Sequence, residues 1–104
     1  MENKKILSML SLCQRAGKLS SGENTCEKLI KSGDVLVIII AVDASDNTKE
    51  KFKNKALYYK VPAYLFGTRE ELGRAIGKNF RAVLAVCDEN FAIKIKEYLS
   101  NNKI

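Results

Sequence analysis

Histidine is missing from this sequence of 104 residues. Without an imidazole, neither the Ser/His nor the Cys/His pairs that activate catalytic nucleophiles can form. Histidine is also the commonest transition-metal ligand in proteins, so its absence removes the usual metal site as well. We therefore expect no enzyme of these types, no metal and no other cofactor.

Cysteine is scarce, and long hydrophobic runs are lacking. The three cysteines, Cys13, Cys26 and Cys87, are too few and too scattered for a disulfide framework or a zinc site, which favours a reducing cytoplasm. No apolar run approaches the ~20 residues that cross a bilayer, so we expect no membrane contact. The polar opening of residues 1–5, "MENKK", leads us to expect no signal peptide.

Acidic residues are outnumbered, since 12 Asp and Glu stand against 18 Lys and Arg, for a net charge of +6. Such a surplus favours an anionic partner such as nucleic acid. It is spread along the chain rather than placed in a tail, so any basic patch must be assembled by folding. Linkers and repeats are also lacking, and a hydrophobic content of 46% suits one domain over residues 1–104.

Helical and strand patterns alternate along the chain. Hydrophobic periodicity, capping signals and glycine stops predict helices over residues 3–15, 22–32, 47–59, 68–77 and 89–100. Apolar and β-branched runs predict strands over residues 18–21, 35–42, 61–66 and 82–87. This α-β-α-β-α-β-α-β-α order predicts the α/β class, as a three-layer α/β/α sandwich around a central mixed four-stranded sheet.

Two strand patterns also indicate positions within the sheet. "VLVIIIAV", residues 35–42, is apolar without alternation, which is typical of a central strand buried on both faces of a parallel sheet. Pro62 indicates an edge strand or the first residue of a strand. The order of the strands does not follow from these patterns.

The start of the second helix, "SSGENTCEK", offers polar groups that contribute little to a core. Asn24 and Lys28 are four residues apart and share a face, toward which the free N–H groups of the first turn also point. An amide donates to and accepts from base edges, and a lysine donates to guanine O6 or N7. Taken one by one, these residues are typical of an ordinary first turn with a solvated lysine. Their shared geometry favours a binding role.

Two further segments are basic. "LGRAIGKNFRA", residues 72–82, contains no acid, and a loop around Gly77 would present Lys78 and Arg81 beside an exposed Ile76 or Phe80. The alternative is a helix C-cap whose basic residues are favoured by the helix dipole.

"RAGKLSSG", residues 15–22, joins the first helix to the second, so we expect Arg15 and Lys18 to lie near Asn24 and Lys28. The alternative is an ordinary solvated turn.

Two carboxylates directly follow the two most apolar strands. Ligands and catalytic groups gather at the carboxyl ends of parallel strands, so Asp43 and Asp88 are the best candidates for an enzyme site. Asp is also a common helix N-cap residue, and Asp88 precedes a predicted helix.

Two longer stretches, "SGENTCEKLIKSGDVLVIIIAVDAS" and "VPAYLFGTREELGRAIG", resemble the ribosomal kink-turn RNA-binding superfamily of L7Ae, L30e and Gadd45-like proteins. The resemblance covers residues 4–99, and the opening "LSLCQRAGKLSSGE" is similar to that of short bacterial paralogues of the YlxQ type. It implies an α/β/α sandwich that binds RNA kink-turns and has no catalytic activity.

In that superfamily the helix tip enters the RNA major groove at tandem sheared G·A pairs, and the loop before the last strand caps the bulged nucleotides. Carried over to this chain, the resemblance implies that Gly22 allows close backbone approach and that Asn24 and Lys28 read guanine edges. Many strong binders have glutamate where this chain has Thr25, and a carboxylate accepts hydrogen bonds more strongly than a hydroxyl, which leaves affinity and the preferred RNA open. The expected RNA-binding residues are Gly22, Asn24, Thr25, Lys28, Arg15, Lys18, Ile76, Gly77, Lys78 and Arg81.

The expected partners are an RNA kink-turn, in ribosomal RNA or an mRNA leader, and the ribosome. Without a long apolar edge or a heptad repeat, we expect a monomer. Two alternatives stay open: a small-ligand or nucleotide-processing domain that uses Asp43 and Asp88, and a protein–protein adaptor on the same fold. The adaptor predicts a sizeable exposed apolar patch.

Overall fold

The computed structural model describes residues 2–104, over which five α-helices alternate with four strands in the predicted order. Met1, the first residue of the polar opening "MENKK", lies outside the described residues. The helices are α1 (Glu2–Arg15), α2 (Glu23–Ser32), α3 (Asp46–Tyr59), α4 (Arg69–Ala75) and α5 (Glu89–Tyr98). The strands are β1 (Leu19–Ser21), β2 (Val37–Ile40), β3 (Ala63–Leu65) and β4 (Val83–Val86), and a short 3-10 helix, Ser100–Asn102, follows α5.

The four strands form one mixed sheet with the order β1-β4-β2-β3. β4 is antiparallel to both β1 and β2, whereas β3 is parallel to β2. The expectation of a mixed sheet is confirmed, and β2 and β4 are central strands buried along their whole length. The expectation that "VLVIIIAV" belongs to a parallel sheet is wrong on its β4 side, because Val37 pairs with Val86 and Ile40 with Val83.

This pairing gives the sheet two distinct ends. β1, β2 and β3 finish at the end where β4 begins, which we call the tip end because α2 starts there directly after β1. β4 finishes at the opposite end, where α5 starts.

Helices cover both faces of the sheet. α2 packs on α3 over one face, and α1 packs on α4 and α5 over the other. The inward side chains follow the helical periodicity of the sequence, as Leu10, Cys26, Phe52 and Ile95 show, each with no exposed surface. The three-layer α/β/α sandwich is therefore confirmed. No helix within residues 2–104 is long and apolar enough to cross a membrane.

The outer edge of β3 is covered by the last residues of the chain. Tyr64 forms an antiparallel bridge with Lys103, and the Ile104 N–H donates to the Ala63 carbonyl oxygen at 3.1 Å. Pro62 precedes this edge strand, as its missing N–H predicts. Because an uncovered strand edge invites pairing with another chain, this cover suits a protein that does not assemble through its sheet.

α2 is tied to α3 by one carboxylate shared among lysines. The oxygens of Glu27 lie 2.8 Å from Lys51 Nζ and 3.2 Å from Lys55 Nζ, and Lys31 Nζ is 3.7 Å away. Hydrogen bonds from Lys51 and Lys55 lower the pKa of Glu27 from 4.5 to about 2. The cluster fixes the helix that carries the tip.

Replacing Glu27 by Gln should lower the free energy of unfolding at neutral pH, because it removes the charge that these lysines share. The pKa of Glu27 in the folded protein lies below its unfolded value, so its contribution is complete above about pH 4.5 and disappears as the pH falls toward 2. Urea unfolding of both proteins between pH 7 and pH 2 should show two curves that converge in acid. Glu50→Gln, a matched change on the exposed side of α3, should show no such convergence.

Candidate nucleic-acid interface

The N-terminus of α2 differs from those of the three helices that follow it. α3, α4 and α5 begin with Ser45, Thr68 and Asp88, and each of these side chains accepts a hydrogen bond from a first-turn N–H group. α2 begins at Gly22, which has no side chain to offer, and no side-chain cap is present among the described residues. The first N–H groups of α2 therefore stay free for an external acceptor, at the positive end of the helix dipole.

Gly22 is required by its backbone conformation. Its φ of 93° and ψ of 147° lie in a region that is open essentially to glycine alone. Its N–H donates to the Val83 carbonyl oxygen at 3.0 Å, and its carbonyl accepts from the Cys26 N–H at 2.9 Å. A Cβ placed at Gly22 would meet no protein atom within 4 Å. Two backbone hydrogen bonds thus hold Gly22 in place, and no protein atom covers the side where a Cβ would lie.

A buried polar network anchors the first turn of α2 to α3. Thr48 is only 6% exposed, and its hydroxyl donates to Glu23 Oε2 at 3.1 Å while accepting from Ser45 Oγ at 2.9 Å. On the other side, burial raises the pKa of the Cys26 thiol to about 12, so the protonated sulfur can donate to the Val83 carbonyl 3.8 Å away. These contacts join the first turn of α2 to α3 and to β4.

A groove of about 580 Å³ lies at the tip end of the sheet. Its walls come from the end of β1, the start of α2, the start of α4 and the segment before β4: Ser21, Gly22, Glu23, Asn24, Arg69, Phe80, Arg81 and Ala82. Sequence reasoning selected three of these, Gly22, Asn24 and Arg81, and the fold brings them together.

Arg81 is held in this groove from two sides. Its Nε donates to Ser21 Oγ at 3.1 Å and its Nη1 to the Phe80 carbonyl oxygen at 2.8 Å. Its backbone N–H donates to the Arg69 carbonyl oxygen at 3.0 Å. A guanidinium carries five N–H groups, so the remaining donors are available to a phosphate or a base.

Arg69 and Phe80 also line this groove. The Arg69 N–H donates to Asp43 Oδ1 at 2.8 Å, and its Nε lies 3.6 Å from Asp43 Oδ2. Its guanidinium carbon is 5.9 Å from the centre of the Phe80 ring, within reach of a cation–π contact. Phe80 is nevertheless 63% exposed. The exposed Phe80 ring, with the Arg69 guanidinium beside it, is a surface on which an unpaired base can stack.

The expectation of an exposed Ile76 is wrong. Ile76 is only 6% exposed and belongs to the core, because it continues the stripe begun by Leu72 four residues earlier. Phe80 is the exposed apolar residue of this loop. Lys78 and Phe80 line a second depression together with Glu70, Arg74 and Asn79, and Gly77 makes the turn with φ +72°.

Arg15 and Lys18 do not lie beside Asn24. The Lys18 carbonyl accepts from the Cys87 N–H at 2.9 Å, which places Lys18 at the opposite end of the sheet. Arg15 ends α1, which packs in the other helical layer. The short β1 separates these cations from the tip, contrary to the expectation from the sequence.

The two aspartates proposed for an enzyme site are also apart. Because β2 and β4 are antiparallel, Asp43 lies at the tip end and Asp88 at the opposite end. Asp43 is engaged with Arg69, and Asp88 accepts from the Phe91 N–H at 2.9 Å as the cap of α5. Within the described part of the chain, no group of three or more His, Cys, Asp or Glu side chains is placed to hold a metal ion.

The loop that carries Phe80 rests directly on α4 at Gly73. The Gly73 carbonyl accepts from the Lys78 N–H at 2.8 Å, and a Cβ at Gly73 would overlap the carbonyl oxygen of Asn79. Gly73 is therefore needed for close backbone packing.

Replacing Gly73 by Ala should force the loop away from α4 and lower the free energy of unfolding by about 2–4 kcal/mol. Gly77→Ala is the matched control, since its Cβ would meet open space and only the left-handed backbone resists it, at about 1–2 kcal/mol. Urea denaturation measures both. An equal or smaller effect at Gly73 would contradict the close packing.

Comparison with known proteins identifies relatives of this chain in sequence and in structure. The model of the ribosomal protein L7Ae/L30e/S12e/Gadd45 family matches residues 4–97. The RNA-binding protein YlxQ of Bacillus subtilis is 42% identical over 87 residues, which cover 84% of this chain and 87% of that protein. Large ribosomal subunit protein eL30 of Candida albicans is 33% identical over 85 residues, or 80% of each chain. A solved structure of a Bacillus halodurans protein with unknown function superimposes with a TM-score of 0.89 at 38% identity, over 92% of this chain and 97% of that one.

Proposed function

This chain belongs to the ribosomal protein L7Ae/L30e/S12e/Gadd45 family, and on that premise we propose that it recognises a kink-turn or a similar RNA internal loop with G·A pairs. It is an RNA-binding protein rather than an enzyme. We further propose that the RNA is ribosomal RNA or an mRNA leader, that the protein associates with the ribosome, and that it acts as a monomer in the cytoplasm.

The observation that carries this proposal is the uncapped start of α2 at the open groove. Free N–H groups, the positive end of the helix dipole and the exposed Asn24 amide all meet there, with Arg69 and Arg81 on the facing wall. Gly22 leaves this surface without a side chain, so a nucleic acid can reach the backbone. Such a surface supplies donors to phosphate and to base edges together.

Asn24 and Lys28 supply the base readout. Both are exposed on one face of α2, and Lys28 lies one turn beyond Asn24, about 6 Å farther along the axis. Lys28 has no ion-pair partner among the side chains of residues 3–104, so its ammonium is available to guanine O6 and N7. The Thr25 hydroxyl stands in the same first turn as a weaker acceptor than a carboxylate.

Phe80, Lys78 and Arg81 suit the unpaired part of the RNA. Single-stranded nucleotides stack on exposed aromatic rings, and cations on both sides of the ring neutralise the adjoining phosphates. Arg81 and Phe80 line the groove at the α2 tip, and Lys78 and Phe80 line the neighbouring depression.

The shape of the target follows from RNA geometry. Regular A-form RNA has a major groove too narrow for side chains, so a helix tip reads bases only where the RNA is distorted. A sharp kink opens such a site and brings phosphate groups close together. A chain with a net charge of +6 offsets the repulsion between those phosphates.

The cysteines fit a reducing compartment. Burial raises the pKa of Cys13 and Cys26 to about 12, and burial also raises the pKa of Cys87. All three remain free thiols with little thiolate character.

A gel-shift titration tests the proposed target. A fluorescent kink-turn RNA with two G·A pairs should bind at least about tenfold more tightly than an RNA of equal length in which Watson–Crick pairs replace them. Equal weak binding to both RNAs would show that only the general positive charge acts, and would overturn the proposal.

Single substitutions at the tip should weaken binding to the kink-turn RNA. Lys28→Ala removes a base contact and should cost about 1–3 kcal/mol, whereas Lys53→Ala, an exposed lysine of α3, should leave affinity within about 0.5 kcal/mol. Arg81→Ala should likewise weaken binding more than Arg15→Ala, which lies at the other end of the sheet. The same titration measures the affinity of all four variants. If Lys53→Ala lost more affinity than Lys28→Ala, or Arg15→Ala more than Arg81→Ala, the interface would lie away from the tip.

A further inference from the structure

An apolar groove of about 560 Å³ runs between α1 and α5, in the helical layer that does not contain α2. Its floor is made by Met9, Leu12, Phe91 and Tyr98. Leu12 is 50% exposed and Tyr98 39% exposed. Large apolar side chains grouped in one groove mark an interaction surface more often than scattered ones do. None of its lining residues lines the groove at the α2 tip that is proposed for RNA, so this surface is left without an assigned role.

The groove has the dimensions of a helix-binding site. α1 ends at the end of the sheet where α5 begins, so the two helices run in opposite directions side by side. The lining residues of α1 extend from Lys4 to Leu12, which is two turns and about 12 Å along the axis. A third helix of similar length can lay its apolar stripe between two packed helices.

Positive charge surrounds the apolar floor. Lys4 and Lys5 line the groove from α1 and Lys94 from α5, and no Asp or Glu is among its described lining residues. None of these lysines forms an ion pair within the described part of the chain. A partner that fills the groove would therefore bring apolar side chains on one face and acidic side chains at the flanks.

We propose that the α1–α5 groove binds an acidic amphipathic helix of a partner protein. Charge complementarity selects this occupant over a second copy of the chain, because a symmetric dimer through this groove would set the same three lysines against one another. Met9 and Leu12, two of the four floor residues, favour an apolar stripe over a nucleic acid, and the displacement test below detects RNA if RNA occupies the groove. Because the groove and the tip of α2 lie in different layers, the chain links a protein partner to RNA.

The test uses a fluorescein-labelled synthetic peptide of about 14 residues, with leucines at helical spacing along one face and glutamates elsewhere. Fluorescence anisotropy with the full chain should show saturable binding. A peptide of the same composition with the leucines scrambled should bind at least about tenfold more weakly, because it cannot form the apolar stripe. Equal binding of the two peptides, or binding of neither, would overturn the proposal.

Variants locate the binding on the protein. Leu12→Asp puts a carboxylate on the apolar floor, and the double change Lys5→Glu with Lys94→Glu reverses the rim; each should weaken peptide binding at least about tenfold. Leu57→Asp is the matched control, since Leu57 is 68% exposed on α3 in the other layer, and it should change binding less than about twofold. No loss in Leu12→Asp or in the rim variant would place the peptide elsewhere.

Three further measurements separate this proposal from RNA binding and from dimer formation. Thermal unfolding of each variant shows whether the fold is kept, and the kink-turn RNA should neither displace the peptide nor lose affinity for Leu12→Asp. Displacement by the RNA would assign the groove to nucleic acid. Sedimentation that shows a dimer dependent on Leu12 would assign it to a second copy, and either result would overturn the acidic-helix proposal.

Discussion

The antiparallel insertion of β4 between β1 and β2 is the constraint on which the rest of the molecule depends. β4 begins at the end of the sheet where β1 and β2 finish. The segment before β4 therefore lies beside the end of β1. This meeting sets Arg81 against Ser21 and brings Phe80 beside the start of α2. The same reversal carries Asp88 to the far end of the sheet, away from Asp43. One strand direction thus assembles the surface proposed for nucleic acid and separates the two aspartates considered for an enzyme site.

The tip of α2 combines an open outer surface with a well-supported interior. Its free N–H groups are hydrated in the unbound protein and so cost little, whereas the groups behind them are bonded in full. Thr48 holds Glu23 from α3, and Val83 accepts from Gly22. A site fixed in this way loses little conformational freedom when a ligand arrives, so more of the contact energy appears as affinity.

Much of this could be predicted from local sequence, and the rest depends on long-range contacts. The element order, the buried strands and the shared face of Asn24 and Lys28 follow from periodicity and capping over a few residues, whereas the role expected of Gly22 is implied by the family resemblance. Arg69 was not found because its place beside Arg81 depends on strand order, which no local pattern encodes. The Thr48–Glu23 bond, which joins residues 25 positions apart, is hidden for the same reason. The burial of Ile76 was detectable, since its spacing of four from Leu72 is that of a core stripe.

The attachment of the Phe80 loop to α4 determines which molecule changes shape in a complex. One end of the loop is bonded to Gly73 through Lys78, and the other is bonded to Arg69 through Arg81. The loop and helix therefore move as one body and offer a fixed template. In the proposed complex the RNA would therefore do the bending, so the speed of complex formation would follow how often the free RNA visits its bent form. Cations that favour the bent form in the absence of protein would then accelerate association, even as their screening weakens long-range attraction.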